Sequence, residues 1–347
     1  MLSKADILKE KILGDIAAGA LKPGEPIPTR HSLMRRYGNA RATVDAAVGA
    51  LVREGYLFSV QGSGTFVAKP RQLGNITKAY VLDDSGGGQV HGESATRLAA
   101  DIQDRAECRI IPQSEVKPRL DELVRPGVAA IWLRPQVARL ETVEYLDKAR
   151  VPQILIGRPY PEFNFIATDA RAGADAGFAW FKDNHVRTAA FLGLEPNPAL
   201  PYVAERQLAF YHCCLAHGVQ TATDLVFTMG PRDPHAQLNL AARRLFAASD
   251  RPEGIFVAYH DLLLPLLSLA ESLRRVPGKD FFILAFDHSP AFDHIPGLCM
   301  LRQRWGRMGR LAINWLFNDA SKKERFSIFV EPRPIVAGQP LERDHHG

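Results

Sequence analysis

The stretch Val60-Gln61-Gly62-Ser63-Gly64-Thr65-Phe66-Val67, VQGSGTFV, decides how the first part of the chain folds. Two glycines around a serine let a backbone come close to a partner, because no side chain stands in the way. A nucleotide phosphate loop needs a Lys-Ser/Thr pair after its second glycine and a helix beyond it. Here Gly64 is followed by Thr65-Phe66-Val67, a strand-like run. Tyr56-Leu57-Phe58-Ser59-Val60, just upstream, is another. The glycine pair therefore reads as the turn of a hairpin.

Working back from the hairpin, three helices are expected. Ser3 with Asp6 resembles a capping box and opens a helix carrying Leu8, Ile12 and Ile16 on one face. Gly19 and Lys22-Pro23-Gly24 end it. A short second helix follows Pro28, with Thr29 as N-cap and Gly38 as terminator. A third runs from about Ala40 to Arg53, with Val44, Ala47, Val48 and Leu51 spaced as one apolar stripe. Three helices and a hairpin make a winged helix-turn-helix, a module that sets its third helix in the DNA major groove.

Charge agrees with that reading. The 347-residue chain carries a net +5, and residues 1–70 hold ten Lys/Arg against six Asp/Glu. A basic head on a nearly neutral body points to a polyanionic partner. Cys108, Cys213, Cys214 and Cys299 show no C-x-x-C spacing, and the first residues lack an apolar signal region. A reducing cytoplasm and no membrane association are the expectation.

The motif order in the head resembles the GntR-type DNA-binding domain. It reads Ala18-Gly19-Ala20-Leu21-Lys22-Pro23-Gly24, Pro28-Thr29, Leu33, Tyr37-Gly38, Arg41-Ala42-Thr43-Val44, Ala50-Leu51-Val52-Arg53-Glu54-Gly55, then the wing. The resemblance implies that Arg41 reads bases, since a guanidinium pairs with guanine O6 and N7. It implies that Thr29 and Thr43 contact phosphates and that the Gly62, Ser63 and Gly64 tip lies beside the minor groove. Arg30 and His31 complete the DNA-contacting set. Arg35 and Arg36 read either as phosphate contacts or as a solvated helix face. The chain departs from the family pattern at Arg30-His31 (usually Glu-Arg), at Ala40 (often serine) and at Asp45 (often arginine). Ser59 and Val60 stand where basic residues often precede the wing. An unusual operator or weaker binding is implied.

Beyond a linker at 70–76, short apolar runs alternate with amphipathic stretches. Strands are expected at 76–82, 108–112, 129–133, 153–156, 188–192, 254–258, 281–286 and 298–302. Helices are expected at 94–105, 170–184, 203–217, 234–248 and 262–275. This alternation predicts an α/β fold with parallel sheets covered by helices. Asp169-x-x-x-Gly173, His185-Val186-Arg187-Thr188-Ala189-Ala190-Phe191-Leu192-Gly193, Glu205-Arg206-Gln207-Leu208-Ala209-Phe210 and Pro252-Glu253-Gly254-Ile255-Phe256-Val257-Ala258 resemble the LacI-type effector domain. So does the stretch Val276-Pro277-Gly278-Lys279-Asp280-Phe281, running on to Asp287 and Leu301-Arg302-Gln303. That family has the two-lobed fold of periplasmic sugar-binding proteins. The resemblance implies that Arg206 and Asp287 bind the effector, as donor fork and hydroxyl acceptor. Where the family usually has A-N-D-E, this chain has Ala258-Tyr259-His260-Asp261. Tyr259 is a candidate to stack on a sugar, His260 is either ligand contact or structure, and Asp83, Asp84 and Trp132 are further pocket candidates.

His212-Cys213-Cys214 with His217 has a metal-like look, but the segment reads as helix core, and no metal or cofactor is expected. No G-x-S-x-G or H-E-x-x-H motif supports an enzyme. The expected organisation is a winged head over 1–69, the linker, a two-lobed effector and dimerisation domain over 77–338, and a tail at 339–347. The expected function is a sequence-specific DNA-binding transcription regulator, a repressor. A sugar or sugar-derived effector between the lobes would control a homodimer on operator DNA. The alternative is a small-molecule-binding module with only non-specific DNA or protein contacts.

Overall fold

The computed structural model describes residues 4–17, 19–22, 25–53, 56–60, 64–67, 76–84, 89–230, 232–247, 251–319 and 325–339. Three helices open the chain: α1 (Lys4–Ala17), α2 (Arg30–Tyr37) and α3 (Arg41–Arg53). Leu8 and Ile12 of α1, Leu33 of α2, and Val44, Ala47, Val48 and Leu51 of α3 share one buried core. Thr29 caps α2 by accepting from the Ser32 amide, and Gly38 ends it in the left-handed conformation. Tyr37 donates to Asp15 at 2.5 Å and Arg36 reaches the same carboxylate at 2.7 Å, tying α2 to α1.

The antiparallel hairpin follows as β1 (Leu57–Val60) and β2 (Gly64–Val67). Gly64 takes φ +117°, a conformation costly for any residue with a Cβ, so the hairpin turn is written into the glycine. The Ile27 amide donates to the Thr65 carbonyl and the Val67 amide to Glu25, so residues 25–27 flank the wing as a third edge.

The body has two lobes, each built on a six-stranded sheet. In chain order its elements are β3 (Lys78–Leu82), α4 (Gln89–Gln103), β4 (Glu107–Ile111), α5 (Leu120–Leu123), β5 (Val128–Leu133), α6 (Leu140–Lys148), β6 (Gln153–Ile156) and β7 (Phe165–Thr168). Then come α7 (Ala170–Asp183), β8 (Ala189–Leu194), α8 (Pro201–His217), β9 (Val226–Met229), α9 (Pro234–Ala247), β10 (Gly254–Val257) and α10 (Leu263–Ser272). Last are β11 (Phe282–Phe286), β12 (Leu298–Arg302), α11 (Trp305–Asn314), β13 (Ser327–Val330) and β14 (Arg333–Val336).

The first lobe orders its strands β13-β7-β6-β5-β3-β4, all parallel. The second orders them β14-β12-β11-β10-β8-β9, parallel except for the antiparallel edge strand β14. Helices cover both faces of each sheet, which is why the central strands are apolar without alternation. The α/β expectation holds. Four strands escaped the sequence reading: β7, β9, β13 and β14.

The chain crosses between lobes three times, after β7, after β12 and after β13. The crossings touch one another. Thr168 donates to the Gln303 side chain at 2.5 Å, and the Asp169 amide donates to the Val330 carbonyl at 3.0 Å. Thr168 and Gln303, both on these crossings, also line the space between the lobes.

Candidate functional site

The exposed surface of α3 begins at its N-terminus with Arg41, Ala42, Asp45 and Ala46. Arg41 is 78% exposed, as a base-reading arginine must be, whereas Thr43 is half-buried. Asp45 gathers two guanidiniums: Arg30 donates to it at 3.0 Å, and Arg41 lies 3.7 Å away. The Thr29 hydroxyl oxygen accepts from the Ser32 amide at 3.3 Å. His31 and Arg35 are exposed on α2. Arg36 is held by Asp15, which favours a structural part for it over a phosphate contact. Gly62 and Ser63 lie outside the described residues; Gly64 is exposed at the start of β2.

The second candidate is a cleft of about 450 Å³ between the lobes. Its walls come from the carboxyl ends of strands in both sheets, where open α/β sheets place ligands. Arg134 follows β5, Gly157 and Arg158 follow β6, and Thr168 ends β7. Tyr259 and His260 follow β10, Asp287 follows β11, and Gln303 follows β12. The first turns of α8 add Tyr202, Glu205 and Arg206.

Arg206 is buried. It donates to the Ala258 carbonyl at 2.7 Å, reaches Asp287 at 3.5 Å, and stacks 4.2 Å from the Phe286 ring and 4.8 Å from Tyr202. Gln303 donates to the other Asp287 oxygen, so a crossing between the lobes and a carboxylate lining the cleft share one network. Arg134 pairs with Asp83 at 2.9 Å and lies over the Trp305 ring at 5.1 Å. Gly157, at φ +85°, leaves the space that Trp305 occupies: a Cβ there would sit 2.8 Å from the indole. Burial pushes the Glu205 carboxyl and the Tyr202 and Tyr259 hydroxyls above their ordinary values. Burial also pulls the Arg134 and Arg158 guanidiniums below theirs. A strongly polar set thus sits where water is scarce, which strengthens its interactions with any ligand.

The structure brings Arg206, Asp287, Tyr259 and His260 together, and sets two other candidates aside. Asp84 does not line this cleft; its carboxylate accepts from the Gln113 amide at 2.8 Å and meets Arg139 at 3.3 Å. Trp132 is fully buried and donates to Gln153 at 2.9 Å, a core residue of the first sheet. Asp83 serves the cleft indirectly, through Arg134. Sequence reasoning missed Arg134, Arg158, Glu205 and Trp305. The rule that favoured Asp287, a polar residue just past a buried strand, also points to Arg134 and Arg158. Cys213 and Cys214 are buried, with thiols pushed to about 11 and about 12 by burial, and His217 meets Asp175 at 2.8 Å. Among the described residues no cluster of three or more His, Cys, Asp or Glu side chains is placed to hold a metal ion. Among them, too, no helix is long and apolar enough to cross a membrane.

Comparison with known proteins matches the head and the later part of the body. Residues 4–67 match the gntR family of bacterial regulatory proteins, and residues 178–339 match the periplasmic binding protein-like domain. The arabinose metabolism transcriptional repressor of Geobacillus stearothermophilus is 26% identical over 298 residues, covering 81% of this chain and 80% of that protein. Its counterpart in Halalkalibacterium halodurans is 24% identical, covering 83% of this chain and 81% of that one. In three dimensions the chain is similar to a LacI-family regulatory protein from Chloroflexus aggregans, with TM-score 0.65, 17% identity, 76% of this chain and 98% of that one. It is also similar to the regulator CelR in complex with cellobiose, with TM-score 0.60, 17% identity, 89% of this chain and 99% of that one. These relatives are transcription regulators, not enzymes. The chain joins a GntR-type winged helix-turn-helix domain to a LacI-like, periplasmic-binding-protein-like domain, the architecture of the arabinose repressors it resembles.

Proposed function

We propose that this protein is a transcriptional repressor whose grip on operator DNA is set by a carbohydrate effector in the inter-lobe cleft. The observation that carries the reading is the cleft itself. Arg206 and Asp287, the rings of Tyr202 and Trp305, and hinge residue Gln303 converge at the strand ends of both lobes. Forked donors, a carboxylate acceptor and flat apolar rings are what a polyhydroxylated ring needs. The names of two relatives, arabinose metabolism transcriptional repressors, support the same class of control.

The head covers 1–69, the linker 70–76, the effector domain 77–338 and the tail 339–347, in a cytoplasmic protein. Arg41 reads bases; Thr29, Arg30, His31, Arg35, Thr43 and the Gly62–Gly64 wing tip engage the backbone. Two copies pair into a homodimer through the second lobe, where an apolar hollow exposes Leu264 and Val276 beside Leu267, Phe292 and Ile295. A two-fold dimer sets two heads on two half-sites of a near-palindromic operator. Effector closes the lobes about the hinge; it controls DNA binding to the extent that the DNA-competent and DNA-incompetent states bind it with different affinity. Selection of genomic fragments by the purified full chain tests this. Enrichment of an inverted repeat is expected at about 0.15 M salt, where non-specific binding is weak. Retention of DNA without sequence preference would instead favour a ligand-binding module with non-specific contacts.

A further inference from the structure

One of the cleft's arginines has no carboxylate partner among the described residues. Of its three arginines, Arg134 is paired with Asp83 at 2.9 Å, and Arg206 is bound to the Ala258 carbonyl at 2.7 Å and Asp287 at 3.5 Å. The exposed Asp261 is paired with His260 at 3.0 Å. Arg158 differs. Among the described residues no carboxylate lies within ion-pair distance of it. Its hydrogen bond runs from Nη1 to the carbonyl of its own neighbour Gly157 at 2.9 Å. Its Nε is shielded from solvent and has no acceptor among the described residues. The Tyr202 ring lies 4.5 Å from the guanidinium and holds it in the cleft.

A shielded N–H without an acceptor is unfavourable, and more so on a charged group. Burial disfavours the Arg158 charge; Tyr202 and Tyr160 oppose that effect, and the charges of Arg206 and Arg134 add to it. Glu205 is close enough for Arg158 to oppose the effect of burial on its carboxyl, yet it makes no ion pair with it. An anion at the guanidinium would relieve all of this, accepting from Nε and from a terminal nitrogen in the two-pronged geometry that carboxylates and phosphates share. Glu205 and Asp287 would remain as acceptors, so the same ligand carries hydroxyl groups.

We propose that the effector is an anionic sugar, a sugar acid or a sugar phosphate, whose acidic group docks on Arg158. This rests on reading the cleft as a carbohydrate site, and the experiment separates the two. The full chain is titrated calorimetrically with D-gluconate, D-galactonate, glucose 6-phosphate and arabinose 5-phosphate, and with neutral glucose, galactose and L-arabinose. An acidic sugar is expected to bind roughly 10-fold or more tightly than its neutral parent, the scale of one charge-assisted contact. The carboxylate and phosphate arms identify which acid it is. Arg158→Gln should erase the preference and bring each acid to the affinity of its neutral parent, because the amide keeps a hydrogen-bond donor but not the charge that distinguishes the two. Arg158→Lys, which keeps the charge and guards against a folding defect in the first variant, should retain part of it. If neutral sugars bind as tightly as their acids, or if Arg158→Gln binds the acids as wild type does, the proposal falls and the carbohydrate site stands. If no sugar of either kind binds, both fall.

Discussion

Asp45 offers a sharp test of the DNA-binding face, because it is an acid on a surface that should meet phosphates. It holds Arg30 at 3.0 Å and lies 3.7 Å from Arg41, with side-chain exposures of 34% for Arg30, 50% for Asp45 and 78% for Arg41. Exposed pairs of this kind contribute about 0.2–1 kcal/mol each. Asp45→Ala should therefore cost the head no more than about 1–2 kcal/mol of stability. Its effect on DNA should be larger. Removing the carboxylate takes a negative charge off the face and frees two guanidiniums. Each added phosphate contact steepens the slope of log K against log salt by about 0.9, roughly an eightfold gain per contact at 0.1 M salt. Fluorescence anisotropy of an operator duplex and a scrambled duplex, from 50 to 300 mM salt in about six steps, reads both quantities. Both duplexes should bind more tightly, with slopes steeper by about 1–2 per head. An unchanged slope would show that Asp45 does not restrain these arginines. Weaker operator binding with scrambled binding unaffected would show that Asp45 reads a base, as a carboxylate accepting from cytosine N4 does.

Arg41→Ala should relax base preference at one operator position by about 1–3 kcal/mol. Arg35→Ala should weaken all sequences alike and flatten the salt slope by about 0.9; a selection repeated with each variant separates the two. Gly157→Ala combines a left-handed backbone with a Cβ 2.8 Å from Trp305, so it should destabilise the body by about 2–4 kcal/mol and weaken sugar binding, read by denaturant melts and calorimetry. Leu264→Glu places a charge in the apolar hollow and should convert dimers to monomers in light scattering without loss of helix content in circular dichroism. Acid should loosen the first lobe through Glu122, whose carboxyl the Lys78 ammonium at 2.6 Å holds down to about 2. A depressed carboxyl stabilises the fold above its unfolded value, near 4.5, and that stability is lost as the pH falls from there toward 2. Lys78→Met should flatten the stability profile across that window.

The head was legible because its signals are local. A 3.6-residue apolar spacing placed α3, and the Thr29 and Gly38 caps bounded α2. In the body, the central strands announced themselves as unbroken apolar runs between helices. The missed elements lacked that signal. Strands β9 and β13 are half-exposed edges, β14 contains Pro334, and β7 is only four residues long behind a Pro-rich loop. Helix α11 carries Gly306 and Gly309, which lower its propensity even though Met308, Ala312 and Ile313 pack into the core. The cleft was half legible. Asp287 and Arg206 sit at positions where a motif pointed to them. Arg134 and Arg158 also stand just past buried strands, but no motif marks them, and their partners Asp83, Trp305 and Tyr202 lie far from them in sequence. Asp84 stands beside Asp83 in sequence, but its carboxylate serves the turn at Gln113 while Asp83 holds Arg134.

The central claim is that a ligand in the cleft sets the affinity of the head for DNA, and its most direct measurement is one linkage experiment. Operator affinity of the full chain is measured with and without a saturating sugar that calorimetry has shown to bind, for wild type and for Arg206→Ala. The sugar should change wild-type operator affinity by roughly 5-fold or more. By reciprocity, operator DNA should change sugar affinity by the same factor. Arg206→Ala should bind operator normally and lose the response. A sugar that occupies the cleft and leaves operator affinity unchanged would contradict the account.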